Sequence, residues 1–329
     1  MLTNQLINGR YKVDNYLGFG GFSKVVKCFD TYSNITVALK MISDKTYDDR
    51  LEISIMKQIS NSEDKRSKIA IQYFDSFQLN ERHYVVLEYG GISLYDFMRQ
   101  NNKIPFSLSF IRNVAKQSLE FLSFLHSIGI IHCDIKPENI MLKNEKYKEV
   151  TLSEATCAQM NHIDSRLKTR IPIQDDIKFI DFGLACYGTD KVHTKRIGTR
   201  PYYSPEMILE RGWSYGVDIW SIGCTLLELY TGIQPFCADD DRDQLLKMEL
   251  VLGKFPSVLS ERSKLFSNAG FVNCPKPHFD VAVEPLHRLI NHSQHPQFLD
   301  FIRQLLECDP NKRISCEDAL NHPFINFVD

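Results

Sequence analysis

Asp134, Lys136 and Asn139 share one short stretch, GIIHCDIKPENIML (129–142). Pro137 between apolar flanks keeps the trio out of a single helix and predicts a tight turn. In such a turn an aspartate can accept a proton from an attacking hydroxyl. A lysine can neutralise charge on a migrating phosphoryl group, and an asparagine can ligate magnesium. Asp181, at the end of the strand-like FID of FIDFG, offers a second hard-oxygen ligand of the kind Mg2+ prefers. Asp and Asn are also favoured in ordinary turns, so each residue alone carries little weight. Their joint order carries more.

Two earlier stretches supply what a phosphate-transferring site needs. Gly18 and Gly20 lie in LGFGGFSKV, between strand-like runs. Glycines let a backbone approach phosphate oxygens with N–H groups aimed at them, although a plain glycine-rich hairpin explains the same residues. A dinucleotide-binding turn would require a helix directly after the glycines. Here SKVVKCFD continues as a strand. In VALK (37–40), period two places Ala38 and Lys40 on one strand face, and Val37, Leu39 and Met41 on the other. A small residue beside a lysine leaves room for a flat ring and offers its phosphates a cation. The commoner fate of a strand lysine is to snorkel at an edge. A buried Lys40 needs a carboxylate, and Glu52 on the following helix is better placed than Asp48 or Asp49.

The elements that position these residues change character along the chain. RYKVDNYLGFGGFSKVVKCFD, NITVALKMIS, IAIQYFDSF and HYVVLEY are rich in β-branched and aromatic residues and predict strands. Leu51, Ile55, Met56 and Ile59 have the spacing of a buried helix face. Gly90-Gly91 breaks the pattern and marks a lobe boundary. Beyond it, three helical stretches follow: FSLSFIRNVAKQSLEFLSFLHSIG, SYGVDIWSIGCTLLELYTG and PQFLDFIRQLLECDP. The first two end at Gly129 and Gly232, and the third is expected to stop at Pro310. A small β-rich lobe (11–89) before a larger helical one (92–329) is an α+β arrangement with a cleft between. The polar segment between the trio and IKFID (near 143–176) reads as an insertion, with a possible hairpin in EVTLSEATCAQM.

At 329 residues with 43% hydrophobic content, the chain has ample core material. Its 39 Lys and Arg against 41 Asp and Glu give a net charge of −2, so no global field recruits nucleic acid or an acidic membrane. Nine cysteines without a C-x-x-C pair, and histidines without metal spacing, argue against a zinc site. The N-terminus has no apolar signal core and no stretch is long enough to span a bilayer. The expectation is a reduced, intracellular protein of nucleus or cytoplasm.

Taken together, GFGGFSKV, VALK, HCDIKPEN, DFG, SPE (204–206), DIW (218–220) and DPNKRIS (309–315) resemble the eukaryotic protein kinases over nearly the whole chain. The resemblance implies one bilobal kinase domain using ATP and Mg2+. Asp134 would orient and deprotonate a substrate hydroxyl, with Lys136 of the serine/threonine type beside it. Asn139 and Asp181 would hold magnesium. Lys40, paired with Glu52, would hold the α- and β-phosphates. Leu17, Gly18, Gly20, Val25 and Ala38 would enclose the nucleotide. Adenine would meet the backbone of Glu88 and Gly90 with Leu87 behind the ring, and Asp96 or Ser93 would reach the ribose. Glu206 and Arg313 would form a buried ion pair, and Asp218 would brace the catalytic loop.

DQLLKMELVLGKFP (243–256), GISLYDFMRQN and RGWSYGVDIWSIGC are similar to the LAMMER (cdc2-like) kinases, within the group that includes cyclin-dependent and mitogen-activated kinases. Serine/arginine-protein and dual-specificity kinases share parts of this pattern, and Ser23 in place of the third loop glycine is like the former. The resemblance implies serine/threonine phosphorylation, with tyrosine autophosphorylation open, of protein substrates rich in arginine and serine. It implies no obligate cyclin, no direct nucleic-acid partner, no membrane and no particular oligomeric state. Carboxylates at 238–244 and Asp175-Asp176 could pair with substrate arginines, or form a solvated acidic face. The region 254–297 is like the group's helical-lobe insertion. Two residues depart from the usual pattern. Cys133 stands where many kinases carry a phosphate-binding arginine, which predicts activity independent of phosphorylation in 181–206. Tyr203 stands where the wider group carries an arginine. Tyr187, Thr194, Thr199, Tyr202 and Tyr203 are candidate autophosphorylation sites. The alternative reading is a pseudokinase scaffold, disfavoured because Lys40, Glu52, Asp134, Asn139 and Asp181 are all present.

Overall fold

A computed structural model describes residues 5–19, 23–42, 49–151, 168–188, 193–261, 263–274 and 283–327. Strands β1 (Leu6–Ile7), β2 (Tyr11–Phe19), β3 (Ser23–Asp30), β4 (Ile35–Ile42), β5 (Tyr73–Leu79) and β6 (Arg82–Glu88) form one antiparallel sheet of order β1-β2-β3-β4-β6-β5. Alternation along β4 sorts its side chains as the sequence predicts. Val37, Leu39 and Met41 join Val13, Val26, Tyr84 and Val86 in the core of this lobe. Ala38 and Lys40 face the cleft instead, beside Val25 and Leu87, their neighbours in register. A one-residue slip would bury Lys40 in that core, so the hydrophobic alternation sets the register. Helix α1 (Arg50–Ser60) buries Glu52 together with Ile55, Met56 and Ile59.

The second lobe is helical. Its main helices are α2 (Leu94–Gln100), α3 (Leu108–Ser127), α4 (Gly216–Thr231), α5 (Asp241–Leu252) and α6 (Pro296–Leu305), of which α3 and α6 pack directly on α4. Nearly every side chain of α4 is buried, as expected of a helix that is apolar all round. Its C-terminus turns at Gly232 with φ 75°, where an added Cβ would sit 2.3 Å from the Lys103 carbonyl oxygen. Glycine is required there on both counts. Short strands β7 (Ile130–Ile131) and β8 (Ile140–Leu142) flank the predicted turn. They pair with β12 (Cys186–Tyr187) and β11 (Ile177–Phe179) respectively. This pairing brings the stretch around 134 against the one around 181.

Three boundaries differ from the sequence reading. Helix α6 ends at Leu305 rather than running to Pro310. The first part of IAIQYFDSF is not strand, because Ile69 closes a 3-10 turn and Ala70 bridges to Phe179 in the other lobe. The polar insertion does hold a hairpin, but β9 (Tyr147–Thr151) pairs with β10 (Lys168–Pro172). A partner within ATCAQM would lie outside the described residues. Periodicity cannot choose between a near and a far partner strand.

Candidate active site

The cleft between the lobes encloses about 950 Å³ and is lined by Leu17, Gly18, Val25, Ala38, Lys40 and Glu52 from the first lobe. Leu87, Glu88, Gly90 and Asp96 line it at the junction, and Asp134, Lys136, Asn139 and Asp181 from the second lobe. Every site residue anticipated from sequence is therefore gathered in one cleft except Gly20, which lies outside the described residues.

At its centre Lys40 Nζ reaches Glu52 Oε1 at 2.5 Å and Asp181 Oδ1 at 3.1 Å. Burial alone would lower the Lys40 pKa. The two carboxylates more than offset that and hold it above the ordinary lysine value. Asp181 responds conversely: burial opposes its charge, yet the Lys40 ammonium holds its pKa below the ordinary value. Asp49, closer in sequence, pairs with His83 at 2.8 Å instead.

On the opposite wall Asp134, 7% exposed, is held by three donors. Lys136 Nζ donates to Oδ2 at 2.8 Å, Asn139 Nδ2 to Oδ2 at 2.9 Å and the Thr199 hydroxyl to Oδ1 at 2.6 Å. Lys136 also donates to Thr199 Oγ1 at 2.7 Å. The turn before Asp134 is braced from below. Asp218, fully buried, accepts the backbone N–H groups of His132 and Cys133 at 2.9 Å each. Cys133 and Asp181 adopt φ of 67° and 61°, sparsely populated for non-glycine residues and typical of functional sites.

The donor set fits magnesium. Asn139 spends its amide nitrogen on Asp134, which leaves Oδ1 without a hydrogen bond among the described residues, as is Asp181 Oδ2. Two hard oxygens from one cleft suit Mg2+, which keeps several waters and takes the remainder from phosphates. The junction suits a flat ring. Apolar Leu17, Val25, Ala38 and Leu87 stand around it, and an added Cβ at Gly90 would lie 2.9 Å from Met141 Sδ. Glu88 donates its N–H to Gln72 O at 2.9 Å. Its side chain is fixed by Lys178 Nζ at 2.8 Å. Ser93 Oγ caps α2 and donates to Asp96 Oδ2, and Asp96 Oδ1 lies 3.3 Å from Arg99 Nη2.

The protein kinase domain model matches residues 11–325. The chain belongs to the protein kinase family. Within it the chain falls in the LAMMER group, with the following relatives. It is 38% identical to the "Probable serine/threonine-protein kinase clkA" of Dictyostelium discoideum, over 98% of this chain and 36% of that protein. It is 32% identical to dual specificity protein kinase lkh1 of Schizosaccharomyces pombe, over 98% of this chain and 48% of that one. With human dual specificity protein kinase CLK1 it shares 32% identity over 99% of this chain and 68% of the relative. The chain thus spans less than half the length of the first two. A crystal structure of a kinase domain superposes with a TM-score of 0.89 at 27% identity, covering 98% and 97% of the two chains.

Three features of the site go beyond the sequence reading. Thr199, a candidate phosphorylation site by residue type, also bridges Lys136 and Asp134 through its hydroxyl. Thr199→Ala should lower kcat by roughly ten- to a hundredfold through lost positioning, whereas Thr199→Ser should restore most of it in steady-state assays. Second, the acidic run 238–244 is largely spent internally. Asp240 caps α5, Asp241 binds Arg196 and Arg200 at 2.8 and 2.9 Å, and Asp243 is 2% exposed. Asp175 accepts from Asn113. Third, Lys178, which the sequence reading does not single out, is buried in β11 and donates to Glu88 Oε2 at the lobe junction.

Proposed function

We propose that this chain is an ATP-dependent protein kinase that phosphorylates serine and threonine in proteins rich in arginine and serine, within one domain whose lobes (11–89 and 92–329) meet at Gly90-Gly91. The observation that carries the reading is the meeting of Lys40–Glu52, Asp181 and the Asp134–Lys136–Asn139 cluster in one cleft. In this reading Asp134 takes the proton of the attacking hydroxyl, and Lys136 and Thr199 hold it in place. Lys40 binds the α- and β-phosphates, with Glu52 keeping it extended. Asn139 Oδ1 and Asp181 Oδ2 would hold Mg2+, which supplies charge neutralisation for in-line transfer. Gly18 and Gly20 approach the phosphates, and Glu88, Gly90, Leu87 and Asp96 seat the nucleoside. Transfer of phosphate from ATP to a basic serine-rich peptide, dependent on magnesium, tests this; nucleotide binding without turnover would favour a scaffold instead.

Preference for basic substrates has one physical support beyond family likeness. Glu138, on the cleft wall after Lys136, has a buried Oε2 with no partner among the described residues, and burial raises its pKa. A substrate guanidinium would satisfy it. Glu138→Gln should raise KM for an arginine-containing peptide about tenfold, the weight of one charge-assisted hydrogen bond, and leave KM for ATP unchanged.

Independence from activation-segment phosphorylation is supported by the clasp of Arg196 and Arg200 on Asp241, which ties that segment to α5 with protein carboxylate alone. Phosphatase-treated protein should keep its full activity; loss of activity would refute the idea. Dual specificity, an intracellular location in nucleus or cytoplasm, and the absence of a cyclin or nucleic-acid partner are proposed from family membership. Among the described residues no helix is long and apolar enough to cross a membrane.

A further inference from the structure

Cys133 Sγ and Cys186 Sγ lie 3.7 Å apart, in contact and unbonded. Cys186 opposes Ile131 across the β7–β12 pair, and the turn two residues on brings the Cys133 sulfur against that of Cys186. Cys133 is 6% exposed, while Cys186 is only partly buried. Of the two residues Cys186 is the nearer to solvent. From this geometry we propose that Cys186 and Cys133 form a reversible disulfide that switches the catalytic loop off, Cys186 reacting first with a hydroperoxide and Cys133 resolving it. The regulatory part rests on the kinase reading; the chemistry of the two thiols does not.

The steps balance. The Cys186 thiol attacks the peroxide O–O bond and becomes a sulfenic acid as one water leaves. Cys133 sulfur then attacks the Cys186 sulfur, its own proton leaving with the displaced hydroxide as a second water. Two thiols are oxidised to one disulfide and one peroxide is reduced. The Cys133 hydrogen bond lowers the Cys186 pKa against the effect of burial, while the same contact and burial push that of Cys133 up. Those directions suit an attacking and a resolving thiol.

A disulfide holds its sulfurs about 2.05 Å apart, so the two backbones must close on each other. The Cys133 turn has little freedom. Its N–H is bonded to buried Asp218, and its carbonyl oxygen lies 2.3 Å from where a Cβ on Gly198 would stand. Strain therefore falls on Asp134, the residue just after it. A misplacement near 1 Å in such a site costs on the order of a hundredfold in rate. Leu17, Val25, Ala38 and Leu87 lie in the sheet of the other lobe or at its junction, away from the strain, so ATP binding is spared.

The test uses the full chain carrying Cys237→Ser, which removes an exposed thiol. It is treated with hydrogen peroxide, then digested without reduction for mass spectrometry. The expected result is a peptide pair linked through Cys133 and Cys186, a kcat lowered ten- to a hundredfold with KM for ATP unchanged, and recovery on adding dithiothreitol. Added Cys186→Ser should remove both the linkage and the loss of kcat. Added Cys133→Ser should leave a dimedone-reactive sulfenic acid on Cys186. The proposal is overturned by inhibition that persists in the Cys186→Ser protein, by absence of the linkage, or by a linked protein with full kcat. A chain that transfers no phosphate in any state refutes the kinase reading and the switch with it, while the mass readout separately decides the disulfide.

Discussion

Asp134→Asn should abolish nearly all phosphoryl transfer, with kcat falling by about 10² to 10⁴, the usual worth of a positioned general base. The substitution keeps shape and hydrogen-bonding capacity. The contacts from Lys136, Thr199 and Asn139 can therefore survive in altered form, and folding should not change. KM for ATP should stay close to that of the unaltered protein, because Lys40, Glu52 and the apolar walls are untouched. Single-turnover kinetics with saturating ATP separates the two parameters. A kcat within a few-fold of the parent would show that Asp134 only braces the loop, and the proton would need another acceptor.

Arg313→Ala should produce the largest loss of stability among single changes outside the cleft. Its guanidinium grips Glu206 through two bonds, Nη1 to Oε1 at 2.6 Å and Nη2 to Oε2 at 2.9 Å, and both side chains are almost wholly buried. Arg313 also donates to the carbonyls of Glu307 and Gly216 at 2.9 Å each, and lies over the Trp220 ring. Removing it strands a buried carboxylate, which costs about 3–5 kcal/mol. Urea denaturation should read that loss as a lower midpoint with unchanged slope. Arg313→Lys should recover little, since an ammonium cannot reproduce the planar fork. Replacing both partners by apolar residues of similar volume should recover much of it, because the stranded charge is then gone. A loss under about 1 kcal/mol would mean that water reaches the pair.

The two experiments probe different links. The first asks whether the cleft does chemistry, and the second whether the frame beneath it depends on a buried charge pair. Glu206 follows the activation segment, and Arg313 anchors it to the region before the helix at Cys316–Leu320, which packs on α3. A destabilised pair would therefore loosen the floor on which a substrate rests before it unfolded the lobe.

Much of this protein could be read along the chain. Strand alternation in VALK sorted Ala38 and Lys40 from Val37, Leu39 and Met41, because side chains on a strand alternate faces whatever surrounds them. Helical spacing and terminal glycines located α3 and α4 for an equally local reason. The identity and order of Lys40, Glu52, Asp134, Asn139 and Asp181 followed from residue type. What depended on the tertiary structure was every question of who neutralises whom. Thr199 lies far along the chain from Asp134, and no periodicity places its hydroxyl between Asp134 and Lys136. The carboxylates at 238–244 read equally as a surface for substrate arginines or as a solvated acidic face, until Arg196 and Arg200 arrive from another segment to claim Asp241. Cys133 and Cys186 were two scattered thiols until β7 paired with β12. Local propensities act over a few residues, whereas charge pairing and sulfur contact depend on distances that only the completed packing sets.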